Sequence, residues 1–189
     1  MQQISIVTGS ERKRSEISAV IGTKLPYTFL AYDLDEIQGA PRDIITRKLQ
    51  DAYELAKGPV VVEDYSLYID RLAGFPGPYV KSLLKNGELG RIVKELAVVG
   101  EVRCSSECLY GYTNKQGETF LFSATAQGVL VPSEREASGL FGVDELLVID
   151  GTDKPYLYLS PEEKDQHSIR KKALEQLMAH IVTEQISTQ

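Results

Sequence analysis

Short apolar runs mark three strands in the first half of the chain. "QISIVTG" predicts a first strand, and "YTFLAYDLDEI" predicts a second strand that runs into an acidic loop. "PVVVED" is a continuous apolar run ending in two carboxylates, which is typical of a buried strand that delivers acids at its end. The segments between these runs have helical spacing, so strands and helices are expected to alternate.

Helical spacing follows these strands and recurs near the end of the sequence. Ser10 or a neighbour is expected to cap a first helix over about residues 11–22. "APRDIITRKLQDAYELAKG" predicts the clearest helix, with Pro41 near its start and Gly58 just past its end. A last helix is predicted over residues 161–185, where the apolar positions are Ile169, Leu174, Leu177, Met178 and Ile181.

The later middle of the chain has an antiparallel pattern. "GFPGPYVKSLLKNG" predicts a turn-rich loop that leads into a short helix, and another helix is expected near residues 88–97. "EVRCSSECLYGYTN" and "ETFLFSATAQGVLV" alternate and are joined by "NKQG", so they predict a hairpin. "PSEREASGLFGVDELLVID" is interpreted as a loop. The element order indicates an α/β fold with a mixed sheet, in a single domain over residues 1–189.

Composition narrows the classes of function. The 189 residues are 42% hydrophobic, which is enough for a sizeable core, and the net charge is −6. No nucleic-acid partner is expected, because phosphate backbones need a basic surface. No apolar stretch is long enough for a transmembrane helix and no secretory signal opens the chain, so a cytoplasmic protein without a membrane partner is expected. Basic clusters within an acidic chain favour a small anionic ligand.

Cys104 and Cys108 are the two cysteines of the chain and are expected to be reduced core residues. On a strand, their spacing of four places both side chains on one face. Two thiols, with only His167 and His180 available elsewhere, make a poor zinc site.

Acidic and basic residues cluster at the ends of the predicted elements. Glu63 and Asp64 end one strand and Asp33, Asp35 and Glu36 follow another, at the sheet edge where ligands of α/β proteins bind. Carboxylates from two such loops are suitable ligands for Mg²⁺. Taken singly, each acid and each lysine is better explained as a solvated surface charge. The cations that together suit a triphosphate are Lys13, Lys48, Lys81, Lys164 and Arg170.

In combination, these segments resemble one known family. "TGSERKRSE", "LDEIQG", "GPVVVEDYSLYID" and "LAGFPGPYVKSLL" have the order and spacing of the inosine triphosphate pyrophosphatase family. The block "VEDYSLYIDRLAGFPGPYVK" is the most specific, and the similarity continues through "FSATAQGVLVP", "GLFGVDELL" and "SPEEKDQHSIR". The resemblance implies a two-lobed α/β fold with a long central mixed sheet flanked by helices and an active-site cleft between the lobes. It also implies a homodimer that uses Mg²⁺, with Mn²⁺ as an alternative, to hydrolyse a nucleoside triphosphate to the monophosphate and pyrophosphate.

The resemblance also assigns substrate-binding residues. Thr8, Gly9, Ser10 and Lys13 match the family's Thr-Gly-Asn-x-x-Lys loop, with Ser10 in place of the asparagine. Thr8 and Ser10 are expected to donate hydrogen bonds to phosphate, and Lys13 is expected to neutralise its charge. The other residues expected to bind substrate are Lys48, Phe141, Asp144, Lys164, Ser168 and Arg170.

Metal binding and catalysis are assigned in the same way. Glu36 matches the family's metal-binding glutamate, and Glu63 and Asp64 match its acidic pair. The metal ligands are therefore expected to be Glu36, Glu63 and Asp64, and the catalytic residues Asp64, Lys13 and Glu36. In the implied reaction, a metal-activated water attacks the α-phosphorus and pyrophosphate leaves.

Departures from the family pattern lie in the part that is expected to recognise the base. Val143 and Glu145 replace an aromatic residue and a proline, which predicts less ring contact and a looser loop. Ile169 replaces a histidine that recognises the 6-keto group, or belongs to the apolar face of the last helix. His167 is not an easy substitute, because two positions along one helix it points about 200° away.

Several functional hypotheses therefore stay open. In the first hypothesis, the preferred base has shifted while the phosphate chemistry is retained. In the second, the purine preference persists through Arg170, Asp144 and backbone groups. A nucleotide-binding protein without turnover is an alternative, against which Glu36, Lys48, Glu63 and Asp64 argue. "GSERKRSEI" loosely resembles the opening of septum-inhibition-type pyrophosphatases, which act on pyrimidine triphosphates, but "GFPGPY" argues against that family.

Overall fold

Residues 3–35, 37–85, 87–133 and 142–187 are described by a computed structural model, without the side chains of residues 185–187. The chain forms two compact units. Unit 1 comprises Met1–Asp64, Cys108–Ala124 and Ile169–Gln189, and unit 2 comprises Tyr65–Glu107 and Thr125–Ser168. Within the described ranges, every helix is too short or too polar to cross a membrane.

Seven strands of the described residues form one mixed sheet in the order β2-β1-β3-β5-β6-β7, with β4 beside β3. Strand β1 is parallel to β2 and β3, whereas β4 is antiparallel to β3 and β7 is antiparallel to β6. The α/β class, the mixed sheet and the hairpin of β5 and β6 are therefore confirmed. The strands are β1 (Ile4–Val7), β2 (Tyr27–Leu30), β3 (Val60–Ile69), β4 (Pro76–Gly77), β5 (Val102–Thr113), β6 (Thr119–Leu130) and β7 (Leu147–Ile149).

The helices follow the predicted order, with one exception at the end of the chain. The predicted last helix is interrupted at Ser168, whose extended backbone (φ −63°, ψ 107°) cannot continue a helix. A capping box of Ser160 and Glu163 starts the first part, and Ile169 starts the second. The helices are α1 (Glu11–Ile21), α2 (Pro41–Ala56), α3 (Val80–Leu84), α4 (Glu88–Val98), α5 (Pro161–His167) and α6 (Ile169–Ser187).

In unit 1, helix α2 packs its apolar face on the sheet. Gly111 of β5 permits this close approach, because a Cβ there would lie 2.5 Å from Leu49 Cδ1. Helices α1 and α6 of unit 1 are in contact, and the apolar positions predicted for the last helix are all buried in α6. The core around α2 contains Val7, Ile45, Leu49, Ala52, Val60, Val62 and Leu109.

Unit 2 has a core of its own, to which β7 contributes. Leu147 and Ile149 are buried and belong to β7, which lies in the segment interpreted as a loop from the sequence. That interpretation is wrong for residues 147–149, because three residues are too few to show an alternating pattern. Cys104 is buried in this core, Cys108 is buried in unit 1, and both are free, as predicted.

The length of β3 differs from the prediction and positions the acidic pair. The strand does not end at Asp64 but continues to Ile69. Strand β1 pairs with β3 only through Ser5–Val60 and Ile6–Val61 and ends at Val7. Glu63 and Asp64 therefore lie within β3, just beyond the end of its parallel pairing with β1.

Candidate active site

The turn after β1 presents two hydroxyl groups and a glycine. The Thr8 N–H donates to Leu30 O (2.9 Å), and Thr8 Oγ1 accepts from the Ser10 N–H (3.2 Å). Ser10 is the N-cap of α1, as predicted, and its Oγ accepts from the Lys13 N–H (3.4 Å). Because each hydroxyl accepts in these bonds, its own proton is available to donate. Among the described residues, no atom lies within 4 Å of a Cβ placed at Gly9.

Arg14 explains part of the positive charge that follows this turn. Its Nε and Nη2 donate to Thr8 O at 3.1 and 3.0 Å, and its guanidinium lies 5.5 Å from the centroid of the Phe29 ring. Nη1 donates to Glu11 Oε1 at 3.2 Å. Arg14 therefore holds the Thr8–Ser10 turn against the sheet, a structural role that the sequence did not reveal.

Replacing this arginine by methionine is expected to lower the free energy of unfolding by about 1–2 kcal/mol, because Arg14→Met removes two charge-assisted hydrogen bonds to Thr8 O. Arg47→Met is the matched control, since Arg47 forms an exposed pair with Asp51 on α2, and a change within about 0.5 kcal/mol is expected. Urea unfolding of the three proteins measures both values. Equal losses in the two variants would contradict the structural role of Arg14.

Glu63 is the buried centre of a charged cluster within unit 1. Its Oε2 forms an ion pair with the Lys13 ammonium, and its Oε1 lies 3.3 Å from Arg170 Nε. The Cys108 thiol donates to Oε1 at 3.4 Å. The Glu63 side chain is only 4% exposed. One carboxylate thus links α1, β5 and α6 at the position where the parallel strands end.

This environment fixes the charge of Glu63. Burial alone would raise the pKa of its carboxyl group, but the charges of Lys13 and Arg170, with hydrogen bonds from Lys13 and Cys108, lower the pKa to about 2. Burial likewise opposes the charge of Arg170, but Glu63 and Glu16 together raise its pKa above the usual value. Both groups are charged at neutral pH.

Arg170 also pairs with Glu16, which sequence analysis had not singled out. Its Nη1 contacts Glu16 Oε2, and Arg12 approaches the other oxygen of Glu16 at 3.7 Å. Lys13 and Glu16 are three positions apart on α1, so they share a helix face. That spacing was the available signal for Glu16, whereas nothing in the sequence indicated the contact of Cys108 with Glu63.

Asp64 forms a second buried pair, with Lys48 of α2. The Lys48 ammonium lies 2.6 Å from Asp64 Oδ1, whereas Asp64 Oδ2 is buried and accepts no hydrogen bond from the described residues. Burial raises the pKa of the Asp64 carboxyl group, and the Glu63 charge adds to this, although Lys48 opposes it. Asp64 thus presents one oxygen to which no described residue donates a hydrogen bond.

The donor set at Asp64 suits a hard divalent cation. Such a cation binds carboxylate oxygens, and Mg²⁺ needs only one or two of them beside waters and phosphates. The described residues contain no group of three or more His, Cys, Asp or Glu that could hold a metal ion. Glu36 lies outside the described residues, so its convergence with Asp64 stays a prediction. Glu63 differs from Asp64, because both its oxygens are engaged by cations.

Three predicted substrate-binding residues lie in unit 2. Lys164 of α5 donates to Leu157 O (2.8 Å) and lies 6.0 Å from the centroid of the Tyr156 ring. Ser168 ends α5, and its N–H donates to Lys164 O (2.8 Å). Asp144 lies in a 3₁₀ turn over Gly142–Glu145, whereas Phe141 is outside the described residues.

The substituted positions of the expected base-recognition segments are largely buried. Val143 belongs to the core of unit 2, and Glu145 is buried and accepts a hydrogen bond from Ser133 Oγ at 2.7 Å. The prediction of a looser loop is wrong at Glu145 itself, because the hydrogen bond with Ser133 fixes its side chain. Ile169 is buried among the apolar residues of α6, as its alternative interpretation predicted. The helical argument about His167 is wrong, because Ser168 separates His167 and Ile169 into two helices.

Comparisons with known proteins agree with this architecture. The profile of the Ham1 family matches residues 4–180. An inosine triphosphate pyrophosphatase of Puccinia graminis f. sp. tritici is 30% identical over 186 residues, with 94% of this chain and 96% of that protein covered. An inosine triphosphate pyrophosphatase of Schizosaccharomyces pombe is 31% identical over 171 residues, with 90% of each covered.

Solved structures show the same fold. The Ham1 protein of Staphylococcus aureus has a TM-score of 0.80 at 21% identity, covering 97% of this chain and all of that one. A HAM1 protein from Coxiella burnetii also has a TM-score of 0.80, at 20% identity and with the same coverage. Profile, sequence relatives and fold agree over nearly the whole length, and the chain belongs to the Ham1 family.

Proposed function

We propose that this chain hydrolyses a purine nucleoside triphosphate with an unusual base, such as ITP, XTP or dITP, to the monophosphate and pyrophosphate, with Mg²⁺. That it is a nucleoside triphosphate pyrophosphatase follows from its family and from relatives named inosine triphosphate pyrophosphatase. The observation that supports the finer proposal is the Asp64–Lys48 pair beside Glu63 in unit 1. It supports the proposal because a carboxylate that could bind a metal ion is paired with Lys48 and is adjacent in sequence to Glu63, which binds Lys13 and Arg170.

The residues of unit 1 act mainly by positioning and by charge. Lys13 and Arg170 are partly exposed and carry more N–H donors than Glu63 and Glu16 occupy, so they can also bind phosphate oxygens. The hydroxyl groups of Thr8 and Ser10 add two donors beside them. Placing these groups before the substrate arrives lowers the barrier, because little reorganisation remains for the reaction itself.

Asp64 has the role nearest to the reacting atoms in this proposal. Lys48 fixes the carboxylate through Oδ1 and leaves Oδ2 for the cation, with Glu36 as the second ligand. Mg²⁺, or Mn²⁺ in its place, would polarise the phosphate and lower the pKa of a bound water. Water then adds to the α-phosphorus, and the bond to the bridging oxygen breaks to release pyrophosphate.

The base is expected to be read less selectively than by a site with a histidine at position 169. Ile169 and Val143 are buried and apolar, and neither side chain can form a hydrogen bond. Sites that reject close analogues strongly rely on hydrogen bonds that the wrong substrate leaves unmade. A purine preference would then depend on Arg170, Asp144 and backbone groups.

A panel of purine and pyrimidine triphosphates with Mg²⁺ tests the reaction. Pyrophosphate and monophosphate are expected in equal amounts, and omission of the metal is expected to abolish their release. Tight nucleotide binding in calorimetry without release would favour a binding protein instead. A preference for pyrimidine triphosphates would contradict the proposed substrate class.

Ile169→His tests the argument about the base. We expect this change to raise the preference for ITP over ATP by about three- to tenfold in kcat/KM, because the imidazole restores a hydrogen-bond partner for a 6-keto group. Ile169→Leu is the control and is expected to leave the ranking of substrates unchanged, since it keeps the apolar volume. An unchanged ranking in the histidine variant, with an intact thermal unfolding transition, would count against the role of position 169.

A homodimer is proposed from the family resemblance alone. Light scattering should then give a mass about twice the 21.0 kDa of one chain. With a net charge of −6, no nucleic-acid partner is proposed, and the cytoplasm remains the predicted compartment.

A further inference from the structure

We propose that Glu63 is a positioning residue, which holds Lys13 and Arg170 as a fixed pair of cations for a chain of linked phosphates. Only the expected change in kcat rests on the proposed function; the expected change in pyrophosphate binding does not. It assigns Glu63 a role different from that of the neighbouring Asp64. The evidence is the set of contacts of each carboxylate.

The two carboxylates of the acidic pair have different partners. Asp64 pairs with one lysine and has a second oxygen that accepts no hydrogen bond from the described residues. Both oxygens of Glu63 are engaged, Oε2 by Lys13 and Oε1 by Arg170 and the Cys108 thiol. A metal ion at Glu63 would have to displace these cations, whereas a metal ion at Asp64 Oδ2 would not.

The exposed fraction of the side chain also distinguishes Glu63 from the two cations that it binds. The Glu63 side chain is 4% exposed, but the side chains of Lys13 and Arg170 are 28% and 13% exposed. A ligand in solvent can therefore meet the cations but not the carboxylate between them. Since Lys13 comes from α1 and Arg170 from α6, a shared internal anion sets the distance between two charges on separate helices.

This arrangement predicts opposite effects on binding and on turnover. In Glu63→Gln the two cations lose the negative charge that they share, so a free polyanion should bind more tightly. They also lose the group that orients them, so the reaction should slow. A residue that only supports the fold would weaken binding and turnover together.

The experiment measures binding of inorganic pyrophosphate without Mg²⁺ by calorimetry, and kcat with Mg²⁺ on the best triphosphate of the panel. For Glu63→Gln we expect at least threefold tighter pyrophosphate binding and at least a tenfold lower kcat. Glu63→Asp keeps the charge but is too short to span both cations, so its affinity should stay within twofold while kcat falls at least threefold. Glu175→Gln, on an exposed part of α6, makes the same charge change and should alter neither value by more than twofold.

A background that lacks Lys13 tests whether Glu63 acts through it. In Lys13→Met, the added Glu63→Gln change should cost less than threefold in kcat, because the group that it orients is already gone. If the losses in kcat of the two single variants multiply in the double variant, the inference is overturned. A tenfold rise in the Mg²⁺ concentration that Glu63→Gln needs for half-maximal activity would also overturn it, because that result is expected of a metal ligand. Weaker pyrophosphate binding in Glu63→Gln would also overturn it. If Glu63→Gln does not fold, Glu63→Asp is measured in its place. An unchanged kcat in Glu63→Asp would overturn the inference.

Failure of the proposed function would look different. A wild-type protein that binds pyrophosphate, and binds it more tightly after Glu63→Gln, but releases none from any triphosphate would refute the pyrophosphatase proposal. The role of Glu63 in setting the charge of the anion site would then stand, because calorimetry requires no turnover.

Discussion

Asp64→Asn should lower kcat by about 10²–10³-fold while the protein stays folded. The amide keeps the size of the side chain but loses the charge that attracts a divalent cation. It also removes the negative charge that lies 2.6 Å from the buried ammonium of Lys48. Steady-state release of pyrophosphate from the best triphosphate measures the loss, with circular dichroism to confirm the fold.

The control for this variant removes an aspartate from a surface pair. Asp51→Asn changes the same functional group on α2, where Asp51 pairs with Arg47 at 3.0 Å in an exposed i, i+4 arrangement. Its kcat should stay within twofold of the wild type, because such pairs contribute little. Near-normal activity of Asp64→Asn would reject the role of Asp64 in the reaction.

Local sequence patterns were sufficient for elements whose signals lie within a few residues. Helix α2 begins at Pro41, which suits a first helical position, and buries Ile45, Leu49 and Ala52 at helical spacing. Ser10 caps α1 through a bond to a backbone N–H three residues away. In both cases the physical cause of the boundary is adjacent in sequence, so inspection of the sequence finds it.

Boundaries set by distant partners could not be predicted in this way. Beyond Asp64, Leu67 and Tyr68 of β3 pair with β4, which begins at Pro76, and β3 also has β5 as a neighbour in the sheet. Strand β7 exists because β6 supplies an edge for three residues. A pattern within either segment carries no information about such a partner.

The residues of the candidate site could be predicted from the sequence, but their partners could not. The resemblance pointed to Lys13, Glu63, Asp64 and Arg170, which unit 1 brings into two linked ion-pair clusters. It did not reveal the partners, because Lys13 and Glu63 are 50 positions apart and Arg170 is 107 positions from Glu63. Residue types suggested the chemistry, but the charges are paired by packing: α1 and α6 bring cations to Glu63, and α2 brings Lys48 to Asp64.

Gly128→Ala is expected to be the most destabilising of the proposed substitutions, by about 2–3 kcal/mol. A Cβ at Gly128 would lie 2.3 Å from Val148 O and 3.2 Å from Ile149 Cα. Both are backbone atoms of β7, so no side chain can rotate away and the pairing of β6 with β7 must shift. Gly58→Ala is the control, because its Cβ would meet only Ala56 O at 3.9 Å, and its stability should change by less than about 1 kcal/mol. Urea unfolding of both variants tests the difference, and equal stabilities would show that β7 accommodates the methyl group without cost.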